Sequence, residues 1–308
     1  MATSLDISFI TVSWNTEKLL GQCLESIRHT VRGIPHEVIV VDNASTDGTG
    51  AMLGRDWPDV VLIRNDKNRG FGAANNQALR VMRGRYALLL NSDAALTEGA
   101  AGKLYSFMET HPEAAMACGQ LLNADGSKQN SIAGFPTLPV LLLNTPLLEY
   151  LFPGRYPSKR YALRAPVEID SAVGACLIVR KEAIDSVGFF DERYFLFMEE
   201  TDWALRMRAA GWKIFHVPDA FIYHFQGRSI GGGLRSRIAF YRSRYQYFRK
   251  WNHDAGFIVR AAIVVGRLIL EWFLIAAANI LTAGMSPSLR IRWGLYSQLI
   301  LWHLRGCP

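Results

Sequence analysis

Cysteine is scarce in this chain of 308 residues, and the few cysteines form no recognisable pattern. Cys23, Cys118, Cys176 and Cys307 are scattered, and no two of them stand as a Cys-x-x-Cys pair. Zinc sites and redox pairs need close spacing, and disulfide scaffolds need a higher density of cysteine. The sequence therefore indicates neither a zinc site nor a disulfide framework, and a reducing compartment fits it best.

Targeting and repetitive sequences are also missing. Residues 1–6 contain no charged stretch followed by an apolar run, so we expect no signal peptide. The chain has no internal repeat and no low-complexity segment. A chain of this length can bury a large core, and we expect one large domain or a domain with an appendage.

Basic residues outnumber acidic residues, with 34 Lys and Arg against 27 Asp and Glu and a formal net charge of +7. This balance suits an anionic partner such as a nucleotide, a phospholipid or a nucleic acid. The basic residues concentrate near apolar stretches toward the C-terminus and form no recognisable reader motif. We therefore expect no binding to nucleic acid.

The N-terminal part of the chain alternates strands and helices. Residues 7–13 and 37–41 are β-branched and apolar, and between them apolar residues recur at helical spacing from Leu19 to Val31. Residues 60–64 predict a third strand. Strand, helix and strand at this spacing predict a right-handed βαβ unit with a parallel sheet.

Short polar clusters follow the predicted strands. Residues 86–90 form an apolar run without charge, typical of a strand buried on both faces, and the run stops at Asn91, Ser92 and Asp93. Open α/β sheets bind ligands at the carboxyl ends of such strands, and an Asp there can hold a divalent cation that holds a diphosphate. A plain polar turn is the alternative. Similar clusters after residues 13 and 41 favour the binding site.

A glycine-bearing loop at residues 68–76 opens a helix. Glycines let the backbone approach a ligand, and a helix N-terminus favours anionic groups. A capped helix start with flexible glycines is an equally good reading of this loop taken alone.

Three ordered motifs, at residues 40–49, 68–76 and 88–93, resemble the inverting family-2 glycosyltransferases of the GT-A fold. The sequence is most similar to bacterial rhamnosyltransferases that build cell-surface polysaccharide, over roughly residues 5–250. The resemblance implies an α/β fold with a mostly parallel, Rossmann-like central sheet flanked by helices. It also implies a catalytic domain at 1–252, with a nucleotide-sugar half at about 1–120 and an acceptor half at about 121–252.

The resemblance implies nucleoside contacts and a metal site. Asn91-Ser92-Asp93 matches the family's DxD metal motif with Asn in place of the first Asp, so Asp93 is the expected ligand of Mg²⁺ or Mn²⁺. His224 matches the family's late His, which can complete the metal site, and Arg228 is expected to meet diphosphate oxygens. The predicted donor-binding residues are Thr11, Ser13, Asn15, Asp42, Gly70, Asn75, Asn91, Ser92, Asp93 and Arg228.

Three carboxylates within four residues, Glu199, Glu200 and Asp202, follow an aromatic run. Acidic residues in the first turn of a helix stabilise its dipole, which is a purely structural explanation. A transferase also needs a carboxylate that takes the proton of the acceptor hydroxyl. In the family that the chain resembles, this segment reads Glu-Asp-x-Asp and its second acid is the base, which implies Glu200. We expect Glu199 and Asp202 to lie on the acceptor side and to orient neighbours such as Arg206.

The middle of the chain carries weaker signals. Residues 169–179 return to strand character with Gly174 inside, and a strand glycine often marks a close backbone approach, here on the acceptor side. Two strands are expected at 213–217 and 220–223, around Pro218 and Asp219. Residues 138–152 are apolar and precede a basic patch. They predict either a surface for a lipid diphosphate at a membrane or an insertion packed on the main core.

The C-terminal segment, 253–308, changes character. Residues 256–283 are apolar except for Arg260, Arg267 and Glu271, which share one helical face. A spanning helix tolerates three charges poorly, so we expect helices that lie in the membrane interface. Residues 289–305 mix arginines with tryptophans and leucines, which repeats this signature. A soluble helical appendage packed on a partner subunit is the alternative.

The resemblance implies a metal-dependent transfer of L-rhamnose from a dTDP donor to a polyprenyl-diphosphate-linked saccharide. We expect the enzyme to act as a peripheral protein on the cytoplasmic face of the inner (plasma) membrane. The alternatives are another hexosyl transfer, a sugar-phosphate nucleotidyltransferase and a non-catalytic membrane scaffold. A nucleotidyltransferase needs a Gly-rich basic loop that residues 13–17 do not supply, and a scaffold does not need Asp42, Asp93, Glu200 and His224. The oligomeric state stays open, and a homo-oligomer is compatible with the sequence.

Overall fold

The computed structural model describes residues 5–143, 145–156, 163–225 and 233–307. The strands are β1 Ile7–Ser13, β2 His36–Asp42, β3 Val61–Arg64, β4 Tyr86–Leu90, β5 Ala94–Leu96, β6 Ala114–Leu122, β7 Ile132–Ala133, β8 Val167–Glu168, β9 Ser171–Ala172, β10 Cys176–Arg180 and β11 Lys213–His224. The helices are α1 Glu17–Thr30, α2 Thr49–Asp56, α3 Phe71–Leu79, α4 Ala100–Thr110, α5 Leu138–Leu142, α6 Thr145–Leu151, α7 Lys181–Val187, α8 Glu199–Ala209, α9 Leu234–Trp251, α10 Asp254–Leu281 and α11 Pro287–Leu304.

The described residues fall into two compact units. The first comprises residues up to 135, 151–195 and 199–229, and the second comprises 136–150, 196–198 and the residues from 230 onward. The first unit contains the main sheet, and the second contains α9, α10 and α11. The predicted boundary at residue 252 stays a prediction.

The main sheet of the first unit has the strand order β3-β2-β1-β4-β10-β6-β11-β5, with β8 beside β11. Strands β3, β2, β1 and β4 are all parallel, with Ser13 opposite Asp42 and Ile10 opposite Leu89. Strand β10 is antiparallel to both β4 and β6, and β11 is parallel to β6. The α/β fold is therefore confirmed: the sheet is parallel over its first four strands and mixed beyond them.

Both faces of this sheet are buried. Along β4, Leu88 and Leu90 join a core with α1 and α4, whereas Ala87 and Leu89 join a second core with α3, α7 and α8. Successive side chains of a strand point to opposite faces, so a strand covered on both faces must be apolar throughout. The absence of charge in residues 86–90 is thereby explained.

Two strand predictions need correction. Residues 169–179 form two short strands, β9 in a small sheet with β7 and β10 in the main sheet, so Gly174 lies between strands and not inside one. Residues 213–224 form a single strand, β11, whose register against β6 shifts between Val217 and Phe221. Proline has no N–H for the ladder, so a bulge absorbs Pro218 without ending the strand.

The second unit is helical. Leu268 and Ile275 of α10 pack against Tyr296 and Leu299 of α11 and against partly buried residues of α9. The apolar stretch after residue 137 forms α5 and part of α6 in this unit, where Arg267 Nη1 donates to the carbonyl of Leu141 at 2.8 Å. The predicted insertion thus packs on α10 and not on the core of the main sheet.

Helix α10 is 28 residues long, and an 18-residue stretch of it has a mean hydropathy of 2.0 with 17% of that stretch buried. By length and composition alone it could cross a membrane. The sequence-based choice of an interfacial helix rests on its charges and stays a prediction.

Candidate active site

Polar residues from four strands meet at one edge of the main sheet. Ser13 ends β1 and Asp42 ends β2, and the two are paired in register. Asn91, Ser92 and Asp93 directly follow β4, which runs parallel to β1. His224 ends β11 and lies opposite Ala94, the residue after Asp93. The structure therefore brings together the strand-end clusters that the sequence singled out.

Hydroxyl groups join the ends of β1 and β4. Ser13 Oγ lies 2.9 Å from Thr16 Oγ1, and Thr16 Oγ1 donates to Ser92 Oγ at 3.0 Å. Thr11 is different, because it is fully buried and its Oγ1 lies 4.0 Å from Cys23 Sγ of α1. Ser13 and Ser92 thus lie at the sheet edge as expected, whereas the side chain of Thr11 faces the core.

Hydrogen bonds connect the loop after β1 with the loop after β2. Asn15, with a positive φ of 54°, accepts a hydrogen bond from Thr46 N at 2.7 Å, and its own N–H donates to Ser45 Oγ. Asp42 Oδ1 accepts the N–H of Ser45 at 3.0 Å. Trp14 stands 41% exposed beside Asn15. An exposed indole beside these polar strand ends offers a stacking surface for an aromatic ring, and the sequence analysis did not single it out.

The glycine loop at residues 68–70 is held by Asn43, which follows β2. Its Nδ2 donates to Asn68 Oδ1 at 2.9 Å and to the carbonyl of Gly70 at 3.3 Å. Gly70 has a φ of 85°, and a Cβ there would lie 2.4 Å from the Phe195 carbonyl oxygen. Glycine is therefore required here because the backbone approaches the Phe195 carbonyl, and not because it approaches a ligand. Asn75 is buried, and its amide donates to the Phe71 carbonyl within α3.

Asp93 and His224 form the candidate metal site. His224 Nε2 lies 3.5 Å from Asp93 Oδ1, and both side chains are less than a tenth exposed. Gln129, which the sequence analysis missed, contacts His224 on the side of the imidazole opposite Asp93. Its Nε2 donates to the His224 carbonyl, and its Oε1 lies 3.0 Å from His224 Nδ1. The amide orientation that satisfies both contacts makes Nδ1 the donor. In the neutral imidazole, Nε2 then turns its lone pair toward a carboxylate oxygen.

A proton on Nε2 would make this contact an ion pair, and a divalent cation between the two atoms would satisfy both of them as ligands, so the pair fits such a cation. Among the residues that the structure describes, no group of three or more His, Cys, Asp and Glu side chains could hold a metal. Two protein ligands together with substrate phosphates are typical of Mg²⁺ sites. The residues present thus fit a cation that shares its coordination with a diphosphate.

Glu200 lies in the first turn of α8, half-buried, with Gly174 against its side chain. Burial raises the pKa of Glu200 to about 7, although the backbone amides of Glu200, Gly174 and Thr201 lower it. Its Oε2 is buried and has no hydrogen-bond partner among the described residues. A carboxylate whose pKa lies near neutrality and which has an unused acceptor atom can take up a proton.

The backbone connects Glu200 to the end of β4. Gly174 touches Glu200, and the carbonyl of the next residue, Ala175, accepts the N–H of Asn91 at 3.0 Å. The two residues before α8, Phe197 and Met198, both have positive φ values, 69° and 71°. The position of Glu200 is thus fixed by a constrained helix start on one side and by Gly174 on the other.

The neighbouring carboxylates have structural partners. Asp202 is fully buried and accepts Arg206 Nε at 3.1 Å, and Arg206 donates in turn to the carbonyls of Val187 and Phe189. The expected pairing of Asp202 with Arg206 is therefore present. Glu199 is buried, with its Cβ near Gly72. Arg228 lies outside the described residues.

The chain matches one family model and is similar to several known proteins. The family model described as Glycosyl transferase family 2 matches residues 8–188. An N-acetylglucosaminyl-diphospho-decaprenol L-rhamnosyltransferase of Mycobacterium tuberculosis is 30% identical over 241 residues, which are 71% of this chain and 76% of that protein.

Two solved structures share the fold. The Pyrobaculum calidifontis mannosyltransferase, in complex with GDP-Man and Mn²⁺, is 18% identical with a TM-score of 0.58, over 99% of this chain and 87% of that one. GalNAc-T7 with UDP, GalNAc and Mn²⁺ is 15% identical with a TM-score of 0.57, over 79% of this chain and 48% of that one.

Proposed function

Because this chain belongs to glycosyl transferase family 2, we propose that it transfers L-rhamnose from a dTDP donor to a polyprenyl-diphosphate-linked saccharide, with inversion. It is a glycosyltransferase, and the observation that carries the finer assignment is its 30% identity to a rhamnosyltransferase whose name specifies a decaprenol-linked acceptor. The sugar, the base and the acceptor are parts of the proposal. Transfer of another hexose by the same mechanism is the second candidate.

Glu200 is proposed as the general base. It takes the proton of the acceptor hydroxyl while that oxygen forms a bond to the anomeric carbon, and the bond from that carbon to the diphosphate oxygen breaks. Inversion in one displacement needs a single base and no covalent intermediate. The near-neutral pKa of Glu200 and its unpartnered buried Oε2 support this role.

Asp93 and His224 are proposed to hold Mg²⁺ or Mn²⁺, which offsets the charge that develops on the leaving diphosphate. Gln129 fixes the imidazole tautomer so that Nε2 can serve as a ligand. The Mn²⁺ in the structures of two proteins of the same fold supports a divalent cation. Asn91, in the place of a DxD carboxylate, leaves Asp93 as the one acidic ligand of the motif.

The donor nucleoside is proposed to bind at the ends of β1 and β2. Asn15 and Asp42 are fixed there by hydrogen bonds to the loop at 45–46, so their positions are set before the donor arrives. The Trp14 indole supplies a face for the base. Arg228 is proposed to meet the diphosphate, as the sequence predicts.

The C-terminal helices are proposed to bind the protein to the cytoplasmic face of the plasma membrane, where a polyprenyl-linked acceptor resides. Helix α10 exposes Ile258, Leu270, Phe273 and Leu274, each by more than half. Exposed apolar side chains at this density are typical of a protein or membrane contact. A partner subunit on this face is the alternative.

A donor screen tests the proposal. The full chain is incubated with a polyprenyl-diphospho-saccharide acceptor and, in separate reactions, dTDP-rhamnose, UDP-glucose or GDP-mannose, and release of nucleoside diphosphate is measured. We expect turnover with dTDP-rhamnose and loss of turnover with chelator. Turnover with another donor alone would replace rhamnose by that sugar. A chain that releases no nucleoside diphosphate here but releases pyrophosphate from dTTP and rhamnose 1-phosphate would be a nucleotidyltransferase.

A further inference from the structure

Arg237, Tyr241 and Arg244 share one face of α9, at helical positions i, i+4 and i+7, and the charge of Arg267 on α10 also acts on Tyr241. Burial raises the pKa of Tyr241 on α9, while the positive charges of Arg244, Arg237 and Arg267 lower it and Glu271 raises it. The guanidinium of Arg237 also stands 5.6 Å from the ring of Tyr296. Arg237, Arg244 and Arg267 are called the arginine cluster below.

Arg244 has no conventional partner. Its guanidinium lies 5.3 Å from the ring of Phe240 and 5.9 Å from the ring of Phe248. Its Nε is buried and donates to no acceptor among the residues that the structure describes. Burial lowers the pKa of Arg244, and the nearby charge of Arg267 lowers it further. A guanidinium in this position is costly to the folded protein unless an anion binds it.

Glu271 is the carboxylate that the described residues place against the cluster. Glu271 Oε1 lies 3.7 Å from Arg267 Nη2, and Glu271 Oε2 accepts the hydroxyl of Tyr296 at 2.6 Å. Among the described residues, this one carboxylate against three guanidinium groups leaves an excess of two positive charges. A diphosphate carries at least two negative charges and many acceptor oxygens, and arginine binds such groups with two parallel hydrogen bonds.

Exposed apolar side chains adjoin the cluster. Arg267 Nη1 donates to the carbonyls of Leu141 at 2.8 Å and Leu143 at 3.3 Å, so the cluster lies directly beside α5. Leu142 is 59% exposed, Leu143 is 41% exposed and Leu147 of α6 is 45% exposed. An isoprenoid diphosphate has the same two parts, a concentrated anion joined to an apolar chain.

We propose that the arginine cluster binds the diphosphate of an isoprenoid-diphosphate carrier, with the leucines of α5 and α6 against the first isoprene units. The inference rests on the proposed function, since the carrier is that of the acceptor saccharide. The occupant is the carrier and not a bilayer phospholipid, because a phospholipid phosphate carries one ester-bound charge on the membrane surface. Arg244 is half-buried and its Nε is fully buried, so an anion that binds this atom has to reach into the protein.

The test uses the full chain in neutral detergent micelles and measures binding of farnesyl diphosphate by titration calorimetry. Arg244→Gln and Arg237→Gln remove one cation each from the cluster, and Arg235→Gln removes an exposed cation from the same helix as the matched control. Charge-assisted hydrogen bonds predict a loss of about tenfold to a hundredfold for Arg244→Gln. We expect a smaller loss for Arg237→Gln and less than about a twofold change for the control.

Inorganic pyrophosphate and farnesol serve as partial ligands, and each should bind more weakly than farnesyl diphosphate. Equal weakening by Arg244→Gln and Arg235→Gln would overturn the proposal. So would a loss confined to phosphatidylglycerol vesicles, which would assign the cluster to bilayer headgroups. Because Arg237 is exposed, its variant tests the cluster even if Arg244→Gln were to unfold.

Binding of dTDP with Mg²⁺ is measured on the same samples. If every variant keeps dTDP binding while none weakens farnesyl diphosphate binding, the inference fails and the proposed function stands. If the wild-type protein binds no nucleoside diphosphate, the proposed function fails by itself.

Discussion

The two compact units differ in the kind of polar atom that each leaves without a partner and in the apolar side chains that each exposes. In the first unit, Asp202 is paired with Arg206 and Asn43 with Asn65 and Asn68, but Glu200 Oε2 has no hydrogen-bond partner among the described residues. In the second unit the half-buried Arg244 has a buried Nε without a hydrogen-bond partner among the described residues, and many large apolar side chains are exposed. The first unit thus leaves an acceptor open at its candidate base, whereas the second leaves a donor open beside exposed apolar side chains, an arrangement that suits an anionic and apolar ligand.

The comparison predicts that changes in the first unit affect chemistry and that changes in the second affect lipid binding. Glu200→Gln has the largest expected effect. The amide cannot accept the acceptor proton, so turnover should fall by about 10²–10⁴ while binding of dTDP and farnesyl diphosphate stays unchanged. Initial rates and calorimetry measure the two properties. If Glu199→Gln abolishes turnover and Glu200→Gln does not, the base is the preceding residue.

Gln129→Leu comes next, because it removes the group that fixes the His224 tautomer. Loss of such an orienting partner typically costs about 10- to 100-fold in metal affinity. We expect dTDP binding to weaken by that amount in the presence of Mn²⁺ and to change little without metal. Asn130→Ala, at the exposed neighbouring residue, is the control. Equal weakening with and without Mn²⁺ would mean that Gln129 supports the donor site and not a cation.

The second unit is tested by the double variant Arg290→Gln/Arg292→Gln on α11. Each arginine near an anionic surface contributes about 1 kcal/mol, so sedimentation with anionic liposomes should weaken by about tenfold or more. High salt should weaken wild-type binding without abolishing it, because the exposed apolar side chains are insensitive to screening. Donor binding in the first unit should not change. Liposome binding that is unaffected by both changes would favour a partner subunit on this face.

The smallest expected effect is on stability, and it depends on pH. The pKa of Glu200 is about 7 in the folded protein against 4.5 ordinarily, so the folded state binds its proton more tightly. The resulting stabilisation is complete below pH 4.5 and is lost as the pH rises through 7. Glu200→Gln should therefore raise the free energy of unfolding at pH 8 by roughly 1–3 kcal/mol relative to wild type, and Tm with it. At pH 4.5 we expect no such increase. Thermal melts at both pH values measure this, and an equal shift at both would refute the ionisation argument.

Hydropathy and local spacing predicted the elements of the first unit well. The uncharged β4 and the β-branched β1 are buried on both faces, as their composition requires, and the polar strand ends at Ser13, Asp42 and Asp93 share one sheet edge. Such patterns are local in sequence, and parallel strands place their carboxyl ends together without further information.

Contacts between distant residues could not be predicted in this way. Gln129 contacts His224, which lies 95 positions later in the sequence, and Gly70 must be glycine because the Phe195 carbonyl lies against it. Neither contact leaves a pattern in the neighbouring sequence. Thr11 was expected at the ligand edge, but it lies two residues before the end of β1, where its side chain is covered by Cys23 of α1. Arg244 stood among other basic residues of α9, and only packing distinguishes it.

Phe197 and Met198 adopt left-handed backbone conformations immediately before α8, where the chain leaves the second unit and re-enters the first. Each such residue costs roughly 1–2 kcal/mol compared with a glycine. Glycine at either position would therefore be the cheaper choice for folding, yet it would let the start of α8, and Glu200 with it, sample more orientations. A library selected for thermal tolerance should accumulate glycine at these two positions, whereas one selected for turnover should reject it.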